Sequence, residues 1–292
     1  MTTPTLEDSN PEGHPLLLDA LEDRWKTYRL ELKHCRAGFS NEVVHDLRVA
    51  TRRMLAIIQL LNSISPHPRL RKLTRTFKDQ LDDFDDLRDT QVILAELSEI
   101  MHELPQLRDF QKHLQHSEER MLRALRKRLK KLDITETARR IRKTRDAIAS
   151  EQSRLAGLIL QAVDDSFQRV QQRHGAVDAA RPATIHRERV AFKSFRYMVE
   201  IVHPLLEDFP IENLKRMNDY QSLMGEIQDA EIFTQTLADY SEHASLSDPE
   251  PVRRYEEHRR TEALSTYAAE KNQLDTFWRP APEQPFPWEK TE

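Results

Sequence analysis

Apolar positions along the chain recur at steps of three and four through long stretches, separated by short breaks rich in proline, glycine, serine and asparagine. Positions i, i+3, i+4 and i+7 share one face of a 3.6-residue turn, so this period marks amphipathic helices rather than strands. The pattern predicts helices over roughly 15–37, 41–63, 68–102, 106–131, 135–173, 183–203, 211–243 and 250–278.

The breaks have local causes. Gly38, followed by Ser40 and Asn41, reads as a helix end and then an N-cap. In Ser65-Pro66-His67-Pro68 each proline lacks a backbone donor and restrains its predecessor, which forbids a continuous helix. Pro105, the Gly175 to Pro182 stretch, and Pro204 with Pro210 interrupt in the same way. Ser247-Asp248-Pro249-Glu250-Pro251 is a helix start. Residues 1–13, polar with Pro4 and Pro11, are expected to form a disordered tail. Residues 279–292 carry Pro280, Pro282, Pro285 and Pro287, a proline-rich tail that cannot be helical.

The chain repeats itself after about 140 residues. His45-Asp46-Leu47-Arg48-Val49-Ala50-Thr51-Arg52 lies over His186-Arg187-Glu188-Arg189-Val190-Ala191-Phe192-Lys193, with four of the eight positions identical. Phe84 to Val92 lies over Met224 to Ile232 in the same order. The expected fold is therefore all-α, with two pseudo-symmetric halves that are each a four-helix bundle of sequential antiparallel helices.

The repeated segment carries the chemistry. At about 100° per residue, His45, Arg48 and Arg52 fall within roughly 60° of one another, while Val44, Leu47, Met54, Ile57, Ile58 and Leu61 take the other side. On the later helix His186, Arg189, Lys193 and Arg196 share a face, with Phe195, Met198, Val199 and Val202 pointing mostly away. Like charges three and four residues apart weaken a helix. A row of cations has a use when a polyanion runs along it, because Arg offers a planar fork to phosphate oxygens and Lys a point charge. A solvated face explains one such row, and its recurrence in the corresponding helix favours anion binding.

Composition sharpens this picture. Only five glycines occur in 292 residues, too few for the turns of a sheet protein of this size. The net charge of -4 hides a segregation: residues 41–80 sum to +5, 81–104 to -7, 105–146 to +8 and 199–292 to -11. A basic surface inside an acidic chain points to a directed anion site rather than general stickiness to nucleic acid. Cys35, the single cysteine, excludes an internal disulfide framework. No secretory signal and no span of about 20 apolar residues is visible, so a cytoplasmic protein away from membranes is expected.

These motifs resemble the CHAD domain, the conserved-histidine alpha-helical domain. The resemblance is carried by His45-x-x-Arg48-Val49-x-x-Arg52-Arg53, Leu87-Arg88-Asp89-x-x-Val92, His186-x-x-Arg189-Val190-x-x-Lys193-x-x-Arg196-Tyr197-x-x-Glu200 and Gln221-x-x-Met224-Gly225-x-x-Gln228-Asp229. It implies one domain over residues 14–278, with halves of about 14–132 and 133–278 around a central basic channel. It also implies binding of inorganic polyphosphate, and association with polyphosphate-metabolising enzymes or polyphosphate granules. The sequence departs from the family in one respect: Leu55 stands where another basic residue usually continues the first stripe.

Further basic residues are expected to join the site. Lys72, Arg75 and Lys78 sit at helical spacing, Lys215 is the repeat equivalent of Arg75, and Arg123, Arg126 and Lys130 make another face. Asp89, Asp229 and Glu200 are expected to orient the cations by hydrogen bonds. No catalytic residue, metal site or cofactor is expected. The run Asp82-Asp83-Phe84-Asp85-Asp86 lacks the glycine and alternation of a calcium loop, the histidines lack metal-ligand spacing, and no nucleophile has a base beside it. The rival readings are a metal-dependent polyphosphate or triphosphate phosphohydrolase, a helical nucleic-acid binder, and an interaction scaffold. The stripes lack the interleaved aromatics that stack on bases.

Overall fold

A computed structural model describes residues 13–150, 155–244 and 246–289. Among them all regular structure is helical: α1 (Gly13–Ala37), α2 (Asn41–Ile64), α3 (Pro68–Ile100), α4 (Arg108–Lys131), α5 (Thr135–Ser150), α6 (Leu155–His174), α7 (Pro182–Val202), α8 (Glu212–Ser241) and α9 (Glu250–Glu270). No helix among the described residues is long and apolar enough to cross a membrane.

The helix starts follow the breaks seen in sequence. Ser40 has extended backbone and its side chain accepts from the Val43 N–H at 3.3 Å, an N-cap for α2. His67 does the same for α3 through Nδ1 and the Arg69 N–H, with Pro68 in the first position where no donor is missed. Gly38 closes α1 with a bond from its N–H to the His34 carbonyl at 2.9 Å, without the left-handed turn that a glycine cap often uses.

Over the helix expected at 135–173 the structure describes α5 and α6, and the two pack on different partners. α5 lies against α1 and α3, whereas α6 lies against α7, α2 and α1. Chain neighbours pack in order from α1 to α4 and again from α6 to α9, so α5 is a helix beyond the expected four and four. The helices that the repeat aligns also meet, α2 against α7 and α3 against α8.

Two apolar clusters fill the interior. The larger runs through α2, α6 and α7, with Met54, Ile57, Ile58, Phe167, Phe192, Phe195 and Val199 fully or almost fully buried. The smaller joins Ile93, Leu97, Phe110, Phe233 and Leu237. Along α3 and α8 the first cluster ends at Leu87 and Ile227 and the second begins at Ile93 and Phe233. Asp89 and Asp229 fall in that gap.

The C-terminal segment differs from a loose tail. α9 stops at Glu270, a 3-10 turn covers Lys271–Thr276, and Phe277, Trp278 and Phe286 are buried in the larger cluster. Arg279 grips Asp164 through Nε at 2.9 Å and Nη2 at 2.6 Å, and the Trp278 indole N–H donates to the same carboxylate at 2.7 Å. Trp288 stacks on Phe286 with ring centroids 4.7 Å apart. The prolines forbid helix here, but the aromatic side chains between them supply apolar area that keeps the segment on the core.

Candidate functional site

The two cationic stripes face one another. Helix α2 presents Arg48 and Arg52 and helix α7 presents Arg189 and Lys193, all half-buried, where α2 and α7 pack together. Their charges act on each other across the helix pair: Lys193 feels Arg52, Arg189 and Arg48, and Arg189 feels Arg52 and Arg88. The periodicity that buries Met54 and Phe192 on the opposite faces brings these cations to one place.

Burial and crowding leave the cations poorly compensated. Desolvation pushes the Lys193 ammonium down to about 7, and Arg52, Arg189 and Arg48 push the same way against Asp85. Burial also lowers the pKa of Arg48 and of Arg189. The buried Nε atoms of both arginines have no hydrogen-bond partner. Arg189 lies over Gly225, where a Cβ would stand 3.5 Å from its Nη2, so a side chain longer than a methyl at 225 would crowd the guanidinium.

Carboxylates line the α3 and α8 side. Asp85 accepts from Arg48 Nη2 at 3.2 Å. Asp89 is raised to about 6 by burial and then by Asp85, against the pull of Arg48. Burial raises Asp229 too, against Arg189, Arg88, Arg259 and Arg48. Neither Asp89 nor Asp229 makes a hydrogen bond to a stripe cation among the described residues; both act through the field alone. The orienting bond expected of Asp89 is made by Asp85 instead. Asp85 stands one helical turn before Asp89 on α3, and its place in an acidic run gave no sign of that role.

Arg196 and Glu200 form a different unit. Arg196 is 7% exposed. Its Nε donates to Gln221 Oε1 at 3.1 Å, its Nη1 pairs with Glu200, and its guanidinium lies 4.4 Å from the Tyr197 ring centroid. With its polar end held on three sides, it braces α7 against α8. Arg24 of α1 was missed in sequence. It is half-buried beside Glu200 and Arg53, burial lowers its pKa, and its buried Nε has no partner.

The other expected residues are scattered. His45 is exposed and makes no hydrogen bond among the described residues, while His186 meets Gln228 through Nδ1. Arg53, Arg75, Lys78, Arg126, Lys130 and Lys215 are exposed and unpaired among the described residues. Arg123 pairs along its own helix with Glu119 at 3.4 Å. Lys72 lines a different pocket, with Arg140 and Lys143 of α5. Among the described residues, no three His, Cys, Asp or Glu side chains converge as a metal site.

The comparisons with known proteins agree on one family. A family model described as CHAD domain matches residues 19–238. The crystal structure of the CHAD domain from the plant Ricinus communis is similar in fold, with a TM-score of 0.66 at 17% identity over 95% of this chain and 93% of that one. No curated protein matches the sequence.

Proposed function

The chain belongs to the CHAD domain family, and from that premise we propose that it binds inorganic polyphosphate without hydrolysing it. The observation that carries this reading is the meeting of two repeated cationic rows across α2 and α7, where burial, and then Arg52, Arg189 and Arg48, push Lys193 down to about 7. A fold has no structural use for Arg48, Arg52, Arg189 and Lys193 in mutual repulsion. A linear polyanion relieves that repulsion, and the arginine forks and the lysine each take phosphate oxygens. In the empty site Asp85 bonds Arg48, and Asp89 and Asp229 offset the cations through the field alone. The central channel between the halves is part of the same proposal.

Titration with polyphosphate, single-stranded DNA and heparin at matched salt tests the ligand class. Polyphosphate is expected to bind most tightly, with affinity falling steeply as salt rises because several cations replace condensed counterions. A flat salt response, or equal affinity for DNA of the same charge, would rule the reading out. The same samples, incubated with magnesium or manganese, are expected to release no phosphate. Release that a Lys193 variant abolishes would assign a hydrolase instead.

Binding is expected to be linked to protons. A bound phosphate favours the charged form of Lys193, so above a pKa of about 7 binding must take up a proton. Affinity should therefore fall as pH rises through that value. Protonation of Asp89 below about 6 removes a negative charge from the site and adds to affinity at the acid end. Lys193→Arg keeps its charge throughout, so its affinity should be nearly flat between about pH 7 and 9. Calorimetry in buffers of different ionisation enthalpy reads the proton uptake directly. Equal pH profiles for the wild type and Lys193→Arg would refute the linkage.

A further inference from the structure

A second basic concavity lies away from the α2–α7 cluster. Between the start of α3 and the first turns of α5 is an open pocket of about 220 Å³, lined by Arg69, Lys72, Arg139, Arg140, Lys143 and Glu136. α3 and α5 pack directly, so cations distant in sequence converge there. Glu136 is the single carboxylate in the lining, and its oxygens are already taken. Arg139 donates to both, at 2.6 and 2.7 Å, and Arg140 lies 2.9 Å from Oε1. Lys72 and Lys143 are exposed, and their ammonium groups make no hydrogen bond or ion pair among the described residues. Arg69 is held in place, its Nε donating to Thr144 Oγ1 at 3.1 Å, while its terminal nitrogens have no partner there. The first turn of α3 carries no acidic residue, so the positive end of its dipole adds to the same field.

We infer that this pocket is a second anion site, which takes a compact anion of two or three linked phosphate groups. Five cations against one occupied carboxylate call for more charge than a single carboxylate ligand supplies. Arginine forks match phosphate oxygens. No aromatic side chain lines the pocket, so it offers nothing to a nucleobase. Its small volume suits a short oligophosphate, and the terminal phosphates of a longer chain have the same chemistry.

Inorganic triphosphate, titrated by calorimetry without divalent metal, is the probe. The variants are Lys72→Ala with Lys143→Ala, at exposed positions that the fold does not need, and Arg189→Glu with Lys193→Glu. The wild type is expected to bind triphosphate at two sites, with each double variant losing a different one. Retained binding in R189E/K193E that the added K72A/K143A pair removes supports the pocket. Absence of any triphosphate binding in R189E/K193E, with the wild-type isotherm unchanged by K72A/K143A, overturns it and leaves the α2–α7 site standing. Wild-type binding that K72A/K143A alone removes, and R189E/K193E leaves untouched, supports the pocket and overturns the α2–α7 site. Long polyphosphate then identifies the source: an affinity about tenfold weaker in K72A/K143A assigns a chain end to the pocket, and an unchanged affinity assigns a free oligophosphate.

Discussion

Arg189→Glu combined with Lys193→Glu is expected to weaken polyphosphate binding more than about a hundredfold while leaving the protein folded. Removing one cation that makes charge-assisted hydrogen bonds costs about 1–3 kcal/mol, so Ala at Arg48, Arg52, Arg189 or Lys193 should cost about five- to a hundred-and-fifty-fold each. Reversal does more, because it sets a carboxylate against the ligand in a partly desolvated site where charges are weakly screened. The fold should tolerate it. Lys193 and Arg189 repel Arg52 in the empty site, and a carboxylate at either position would pair with that arginine. Arg196→Ala is the instructive contrast. Its guanidinium is engaged by Gln221, Glu200 and Tyr197, so its loss should appear first as a lower melting temperature. Arg169 and Arg254, exposed and unpaired among the described residues, serve as charge controls. Affinity and thermal melting of each variant are the measurements. If Arg169→Ala and Arg254→Ala lose as much affinity as Arg189→Ala, the ligand reads net charge alone. If the reversed variant unfolds, the stripe is structural.

The helices and the two stripes were legible because both depend on one periodicity. The steps of three and four that placed Ile57, Ile58 and Phe195 in the core also placed Arg48, Arg52, Arg189 and Lys193 opposite them. The partners of each cation were not legible, since they depend on how helices cross. Arg196 obeys the same spacing as Lys193 but is occupied by its neighbours. Lys72 sits at the right spacing on α3, yet the pocket it lines is closed by α5, a helix that the repeat did not distinguish from α6. Asp85 rather than Asp89 bonds Arg48, a difference of one turn that no sequence pattern encodes. The C-terminal prolines announced a break in helix and concealed the packing of Trp278, Phe286 and Trp288.

Glu188→Ala is expected to be the most destabilising single change in the repeated motifs, at about 3–5 kcal/mol. Nothing in the pattern marks this residue as structural, because it is charged and sits between the stripe residues His186 and Arg189. In the fold it shares the core face of α7 with Phe192 and Phe195 and is fully buried. Three donors reach it: His174 of α6 through Nδ1 at 2.8 Å, the Tyr220 hydroxyl of α8 at 2.9 Å and the Tyr267 hydroxyl of α9. Burial, and then Glu188 itself, pushes both tyrosines well above their ordinary pKa, so both remain donors at every accessible pH. One carboxylate thus fastens α6, α8 and α9 to α7. Truncation leaves a cavity and strands the buried Tyr267 hydroxyl at about 1–3 kcal/mol, while Tyr220 keeps only the Lys271 carbonyl at 3.2 Å and the partly exposed His174 turns to water. Removing the donors as well should reverse part of the loss. Tyr220→Phe with Tyr267→Phe in the Glu188→Ala background is expected to be more stable than Glu188→Ala alone, whereas the same pair in the wild type strips the carboxylate of two partners and destabilises. Urea denaturation of the four proteins closes this double-mutant cycle. A Glu188→Ala loss below about 1 kcal/mol, or equal effects of the tyrosine pair in both backgrounds, would mean that the carboxylate does not hold the four helices together.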